Sequence, residues 1–143
     1  MTAASRPVTE VVVGVVIDAV RGRYLMSSRP AGKPYAGYWE FPGGKIEKGE
    51  TPQQTAKREV EEELNAEIVV GPQLGETVRY EYDFGIVELT VFFAKMTAHD
   101  FKLVAHSKIE WLPAAQVGEL NWAPADAPLI AELSKTDVKK VEF

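Results

Sequence analysis

Three glutamates of the stretch REVEEEL have a spacing that could hold a cation. On a helix with 3.6 residues per turn, Glu59, Glu62 and Glu63 stand at i, i+3 and i+4 and share one face. Like charges at this spacing repel by roughly 0.2–0.5 kcal/mol per pair, and partial burial beside Val60 and Leu64 would add a desolvation cost. The pattern therefore indicates either a solvated acidic face or a cation bound among three carboxylates.

The chemistry of these ligands limits which cation they would hold. Carboxylate oxygens without neighbouring histidine or cysteine favour Mg²⁺, Mn²⁺ or Ca²⁺ over zinc, and the spacing is not that of a calcium-binding EF-hand. Glu61 points away from the shared face, so we expect it to be solvated. Arg58 is expected to pair with Glu62, four residues on, or with Glu50.

The glutamates lie in the strongest helix signal of the chain. Thr51 is a suitable N-cap, Pro52 suits the first helical position, and Gln54 completes a capping box. Asn65 can adopt the left-handed conformation that ends a helix. A helix is therefore predicted over residues 52–64.

Apolar and β-branched runs predict strands around this helix. The predicted strands are TEVVVGVVIDAV (9–20), RYLMSS (23–28), YWEFPGG (38–44), EIVVG (67–71), ETVRYEYDF (76–84), IVELTVFFAKM (86–96) and IEWLP (109–113). Pro42, Gly43 and Gly44 predict that YWEFPGG runs into a loop. PAAQVGEL (113–120) indicates a helical turn, and APLIAELSK (127–135) a closing helix capped near Asp126. The order predicts an α+β domain, a mixed sheet sandwiched between helices.

Composition narrows the class of protein. The chain has 143 residues, 45% of them hydrophobic, which fits a single domain over residues 1–143. It has no cysteine, and its net charge of −5 argues against binding a nucleic-acid polymer. No apolar run is long enough to span a membrane, and the first ten residues do not resemble a signal peptide. We expect a cytoplasmic protein, either a monomer or a homodimer.

The segment GKIEKGETPQQTAKREVEEELNA (44–66) resembles the Nudix box, G-x5-E-x7-R-E-U-x-E-E-x-G-U, in which U is a bulky aliphatic residue. The matching positions are Gly44, Glu50, Arg58, Glu59, Val60, Glu62 and Glu63. Asn65 stands where the pattern has glycine, and Ala66 where it has a larger aliphatic residue. SSRPAGKPYAGYWEFPGGKIEKGET and APADAPLIAEL are similar to the MutT-like branch of the family.

This resemblance implies Mg²⁺-dependent hydrolysis, with Mn²⁺ as the alternative ion. The expected substrates are nucleoside or deoxynucleoside triphosphates, cut to the monophosphate and pyrophosphate, with oxidised dGTP or CTP as candidates. One alternative is a Nudix hydrolase of another nucleoside diphosphate derivative, such as a nucleotide sugar or a dinucleotide. Another is a Nudix domain that binds without catalysis, although such domains usually lose carboxylates that are retained here.

The resemblance also implies roles for individual residues. The implied metal ligands are Gly44, Glu59, Glu62 and Glu63. The implied catalytic residues are Glu59, Glu62 and Arg58. The implied substrate-binding residues are Arg29, Glu40, Phe41, Lys45, Tyr82 and Asp126. Because Ala105 occupies the place of a loop glutamate of the MutT enzyme, Glu59 is the first choice as general base and Glu62 the second.

Some of these positions also fit ordinary structural roles. Gly44 could be a turn glycine, and Arg29 and Lys45 could be solvated surface residues. Phe41 and Tyr82 could be core aromatics rather than walls of a base pocket.

Asp126 is the position that bears most on base preference. The MutT enzyme has asparagine there, and an ionised carboxylate only accepts hydrogen bonds. It would favour a base with an exocyclic amine, cytosine ahead of adenine, whereas a protonated Asp126 would still suit oxidised guanine. Asp126 could also be only the cap of the last helix.

Overall fold

A mixed β-sheet is the largest element of the structure, a computed structural model that describes residues 7–18, 21–28, 39–83, 85–97, 109–113, 116 and 127–143. The strands are β1 Val8–Asp18, β2 Arg23–Ser28, β3 Trp39–Glu40, β4 Gly43–Lys45, β5 Ile68–Gln73, β6 Val78–Tyr82, β7 Gly85–Met96 and β8 Ile109–Pro113. The helices are α1 Pro52–Leu64, α2 Ala127–Lys135 and a short 3₁₀ helix, Val138–Lys140.

The sheet is built around a central parallel pair of strands. Its order is β3-β2-β1-β7-β5, with β4 added to β1, β6 to β7 and β8 to β2. β1 and β7 run parallel, from Val8 opposite Ile86 to Val16 opposite Ala94. The other described pairings are antiparallel. The predicted mixed sheet is confirmed.

The two long helices cover opposite faces of this sheet. Side chains alternate along a strand, so neighbouring residues of β1 reach different helices. Val16 packs in a buried cluster with Val60 and Leu64 of α1. Val15 packs in a second buried cluster with Leu133 of α2. This arrangement confirms the α+β sandwich.

Helix α1 has the predicted bounds and the predicted caps. The Gln54 amide donates to Thr51 Oγ1 at 3.2 Å, and the Thr51 amide donates to Gln54 Oε1 at 2.8 Å. Asn65 ends the helix in the left-handed conformation, at φ 51° and ψ 47°. The helix is thus fixed at both ends, and its carboxylates have a defined position over the sheet.

The predicted loop over Pro42–Gly44 is wrong in part, because Gly43–Lys45 forms strand β4. Gly43 pairs with Val13 and Gly44 with Val12, both of β1. A Cβ on Gly43 would lie 2.3 Å from the Val12 carbonyl oxygen. Only glycine therefore permits this approach, and the feature that indicated a loop serves close strand pairing.

Other bounds differ slightly from the prediction. β5 extends to Gln73, with a register shift between Val70 and Gln73, and β6 is shorter than its predicted segment. α2 and β8 have the predicted bounds. Most of PAAQVGEL and the cap Asp126 lie outside the described residues. In the described part of the chain, no helix is long and apolar enough to cross a membrane.

Candidate active site

Glu50 and Arg58 form a bidentate ion pair in the candidate site. Arg58 Nε donates to Glu50 Oε2 at 2.7 Å, and Arg58 Nη2 donates to Glu50 Oε1 at 2.9 Å. This fork geometry is the strong form of a carboxylate–arginine contact. Hydrogen bonds from Arg58 and from the Glu47 amide lower the pKa of Glu50 to about 2, and the Glu50 contact raises the pKa of Arg58.

Arg58 connects this fork to the acidic face of α1. Its Nη1 donates to Glu59 Oε1 at 2.7 Å and lies 3.8 Å from Glu62 Oε2. Its Nη2 also donates to the Lys45 carbonyl oxygen at 3.3 Å. One guanidinium therefore links α1, β4 and the turn between them. The sequence predicted Glu62 or Glu50 as its partner, and the fork is with Glu50.

Glu59 lies directly against Gly44. A Cβ on Gly44 would come within 2.3 Å of Glu59 Cδ and within 2.6 Å of both carboxylate oxygens. The absent side chain thus makes the room that the carboxylate occupies, and Glu59 meets the backbone of β4. A backbone carbonyl and a carboxylate are both oxygen donors of the kind that Mg²⁺ accepts.

The other two glutamates of the face are placed differently. The Glu62 side chain is 63% exposed, whereas Glu63 is half-buried and has one carboxylate oxygen hidden from solvent. Within the described residues, no three acidic, histidine or cysteine side chains are gathered closely enough to hold a metal ion. The carboxylates of these three glutamates suit Mg²⁺ in chemical type and lie on one face of α1. Glu59 is bonded to Arg58, however, so side-chain rotation would be needed to bring the three carboxylates together.

Glu61 is not solvated as predicted. Its Oε2 accepts from Lys57 Nζ at 2.7 Å and from the Ile68 amide at 3.0 Å. Burial alone would raise the pKa of Glu61, but these hydrogen bonds outweigh it and hold the pKa below its usual value. The carboxylate thus connects α1 to the start of β5, a contact that helical spacing alone does not indicate.

The predicted base-pocket aromatics have two different surroundings. Phe41 is 7% exposed and meets Tyr24 edge to face, with ring centroids 6.4 Å apart. The Tyr24 hydroxyl donates to the Leu133 carbonyl oxygen, so Phe41 is part of the core under α2. Tyr82 stacks on Tyr80 at a centroid distance of 6.4 Å.

A cavity of about 280 Å³ opens beside Tyr80, on the α2 side of the sheet. Its lining residues come from the turn before β6, from β6 and β7, and from α2: Leu74, Gly75, Glu76, Val78, Tyr80, Leu89, Val91, Leu129 and Glu132. No motif of the sequence indicates this cavity. The alternation of Leu89 and Val91 along β7 predicts a buried face, but only the position of α2 shows where that face is unfilled.

The remaining predicted substrate residues are only partly described. Glu40 pairs across the strands with Ser27 and is half-buried, and the Lys45 side chain is exposed. Arg29 and Asp126 lie outside the described residues, as does Ala105. The structure thus brings together Gly44, Glu50, Arg58 and Glu59, with Glu62 at the edge of the group.

Comparison with known proteins places this geometry in a family. A family model described as NUDIX domain matches residues 8–133. A putative 8-oxo-dGTP diphosphatase 2 of Mycobacterium tuberculosis is 32% identical over 130 residues, which cover 88% of each chain. The CTP pyrophosphohydrolase of Escherichia coli is 34% identical over 124 residues, 83% of this chain and 87% of that protein. Among solved structures, the E. coli ORF135 protein aligns with a TM-score of 0.76 at 30% identity, covering 90% of both chains.

Proposed function

The chain belongs to the Nudix family of hydrolases, and from this premise we propose that it hydrolyses nucleoside or deoxynucleoside triphosphates to the monophosphate and pyrophosphate. The arrangement that carries the proposal is the Glu50–Arg58–Glu59 series of ion pairs ending against Gly44. It fixes a carboxylate against the backbone of β4, next to further carboxylates on the same helix face. Relatives named for 8-oxo-dGTP and CTP hydrolysis support a nucleoside triphosphate as substrate.

A divalent cation, Mg²⁺ with Mn²⁺ as a substitute, would be held by Glu59, Glu62, Glu63 and the Gly44 carbonyl. When bound, such an ion lowers the pKa of a coordinated water and neutralises charge on the phosphates. The cation would also reduce the repulsion between a triphosphate and a chain of net charge −5. Arg58 already neutralises part of this charge through Glu59 and keeps that carboxylate in place.

In the proposed reaction, the oxygen of a water molecule forms a bond to phosphorus while a bridging phosphorus–oxygen bond breaks. Pyrophosphate and the nucleoside monophosphate are the two products. Glu59 takes the proton of the attacking water, with Glu62 as the alternative base. Glu59 is favoured because its side chain is 20% exposed and is oriented by Arg58 at 2.7 Å. The Glu62 side chain is 63% exposed and lies farther from the same guanidinium, at 3.8 Å.

The base of the nucleotide would enter the cavity between β6, β7 and α2. The walls supplied by Val78, Leu89, Val91 and Leu129 are apolar, and Tyr80 carries the stacked ring of Tyr82. A cavity of about 280 Å³ is roughly of the size that small-molecule sites have. Asp126 would then choose among bases: cytosine if the carboxylate is ionised, and oxidised guanine if it is protonated.

A substrate screen tests the proposal. Normal and oxidised nucleoside triphosphates, nucleotide sugars and dinucleotides would be compared by kcat/KM, with phosphate and pyrophosphate measured separately. We expect pyrophosphate release from triphosphates that needs Mg²⁺ and stops with EDTA. Preference for a nucleotide sugar or dinucleotide would favour the alternative Nudix hydrolase, and tight nucleotide binding without turnover would favour a binding domain.

A further inference from the structure

Thr55 places a buried hydroxyl beneath the ion pairs of the candidate site. It is fully buried, and among the described residues only Tyr24 is another buried side chain that carries a polar group. Its Oγ1 lies 2.9 Å from Glu50 Oε1 and 3.2 Å from the Thr51 carbonyl oxygen. A buried polar group in a helix interior needs a partner, and this hydroxyl has two acceptors within reach for a single hydrogen.

The charged acceptor is the better of the two. The Thr51 carbonyl already accepts the Thr55 amide at 3.0 Å, as in any α-helix. The Glu50 oxygen is closer and ionised, and hydrogen bonds to ionised acceptors are roughly twice as strong as neutral ones. The common back-bonding of a threonine to its own helix is present at 3.2 Å, but the contact with Glu50 is shorter and goes to a charged acceptor.

The contact reaches the site through a short series of bonds. Glu50 Oε1 accepts from Thr55, from the Glu47 amide at 3.0 Å and from Arg58 Nη2 at 2.9 Å. Arg58 then holds Glu59 against Gly44. Thr55 is the member of the series that is buried in the protein, so it is the fixed point from which the others are positioned.

We propose that the Thr55 hydroxyl is a positioning group of the site, which fixes Glu50 and, through Arg58, sets the place of Glu59. The inference rests on the proposed function only where it concerns metal and turnover. The link from Thr55 to Arg58 is a property of the folded chain by itself.

The test compares Thr55→Val, which keeps the shape and removes the hydroxyl, with Thr55→Ser, which keeps the hydroxyl. Hydrogen exchange of the Arg58 Nε–H is measured by NMR without metal or substrate. We expect exchange about tenfold faster in Thr55→Val and near-normal exchange in Thr55→Ser, since a hydrogen bond to a charged group is lost in the first variant only. Ser134→Ala, which removes a hydroxyl bonded to the Ile130 carbonyl on α2, is the control and should leave Arg58 unchanged.

Two further measurements extend the test to the site. The affinity of each variant for Mn²⁺, measured by EPR, should be about tenfold weaker in Thr55→Val and restored in Thr55→Ser. In turnover, the Mg²⁺ concentration for half-maximal rate should rise while KM for the nucleotide at saturating Mg²⁺ stays level. If Thr55→Val does not fold, Thr55→Ala is measured in its place.

Unchanged Arg58 exchange in the hydroxyl-free variant would overturn the proposal. So would faster exchange with unchanged Mn²⁺ affinity, because Thr55 would then stabilise the helix without positioning the site. Absence of any nucleotide turnover in the wild type would count against the proposed function alone, since the exchange measurement needs no substrate.

Discussion

Arg58 neutralises part of the negative charge in the stretch REVEEEL. Its guanidinium contacts Glu50 twice, Glu59 at 2.7 Å and Glu62 at 3.8 Å. Because the Arg58 side chain is only 24% exposed, solvent and salt screen its ion pairs less than they screen pairs on the surface. Arg58 thus reduces the repulsion among the glutamates of α1, and the divalent ion of the proposed mechanism would reduce it further.

At the scale of single residues, Glu62→Gln and Glu63→Gln are each expected to lower kcat by at least ~10²-fold while the fold persists. The amide keeps the shape of the side chain but removes a ligand charge. Without Mg²⁺, the melting temperature should stay level or rise, because one repelling charge has gone. Steady-state kinetics and thermal melts measure both effects.

Glu67→Gln is the matched control for these substitutions. Glu67 is exposed and follows α1, outside the network around Arg58. Glu61→Gln is unsuitable, because Glu61 accepts from Lys57 and the Ile68 amide. If both Glu62→Gln and Glu63→Gln turned over at the rate of Glu67→Gln, neither would be a metal ligand.

Glu59→Gln is expected to cause a loss of activity that added Mg²⁺ does not restore. If Glu59 is the general base, activity should fall by about 10²–10⁴-fold and stay low as Mg²⁺ is raised. Loss of a ligand alone would be partly overcome by a higher Mg²⁺ concentration. A Mg²⁺ titration of kcat separates the two, and full recovery at high Mg²⁺ would assign Glu59 to coordination only.

At the scale of elements, helix α1 was predictable because its signals are local. Thr51, Gln54 and Asn65 define its ends through contacts within one or two turns. The spacing of the glutamates and their match to the Nudix box depended on nothing else. The family, the fold class and the acidic face therefore followed from the sequence.

Strand β4 and the Glu61 contact were not predictable in the same way. The sequence predicts Gly43 in a loop, whereas in the structure the backbone of β1 packs directly against it. The sequence predicts a solvated Glu61, whereas in the structure its carboxylate accepts from the Ile68 amide. Thr55 likewise reads as an ordinary helix position, since its partner Glu50 precedes the helix. Each depends on tertiary contacts that local pattern does not encode.

The edge strand β6 allows a test of the cavity. Val78 is 40% exposed and lines the cavity, so Val78→Trp should fill part of it without disturbing the buried core. We expect KM for the nucleotide to rise about tenfold, the size of one lost apolar contact, with kcat little changed. Initial-rate kinetics over a range of nucleotide concentrations measure the split.

Val69→Trp is the control for this substitution. Val69 is 41% exposed on strand β5 and does not line the cavity. The same bulky side chain there should leave KM unchanged. Equal KM values in Val78→Trp and wild type would show that the base binds elsewhere.

At the scale of the whole molecule, the ion pairs of the site also contribute to folding. The Glu50 carboxylate joins the turn before α1 to Arg58 in the helix, and its side chain is only 18% exposed. The same bonds that would orient Glu59 thus hold α1 to the segment leading from β4. Function and stability share these residues, so a change of pH should affect both.

Stability in acid tests this coupling through Glu50. Hydrogen bonds from Arg58 lower the pKa of Glu50 from 4.5 to about 2. A carboxyl whose folded pKa is depressed binds more protons when unfolded, so its contribution is full above pH 4.5 and is lost as the pH falls towards 2. Urea unfolding from pH 7 to pH 2 should therefore show Glu50→Gln less stable than wild type at neutral pH, with the difference shrinking below pH 4.5. A difference between Glu50→Gln and wild type that stays constant over this pH range would mean that Arg58 does not hold the ionised carboxylate.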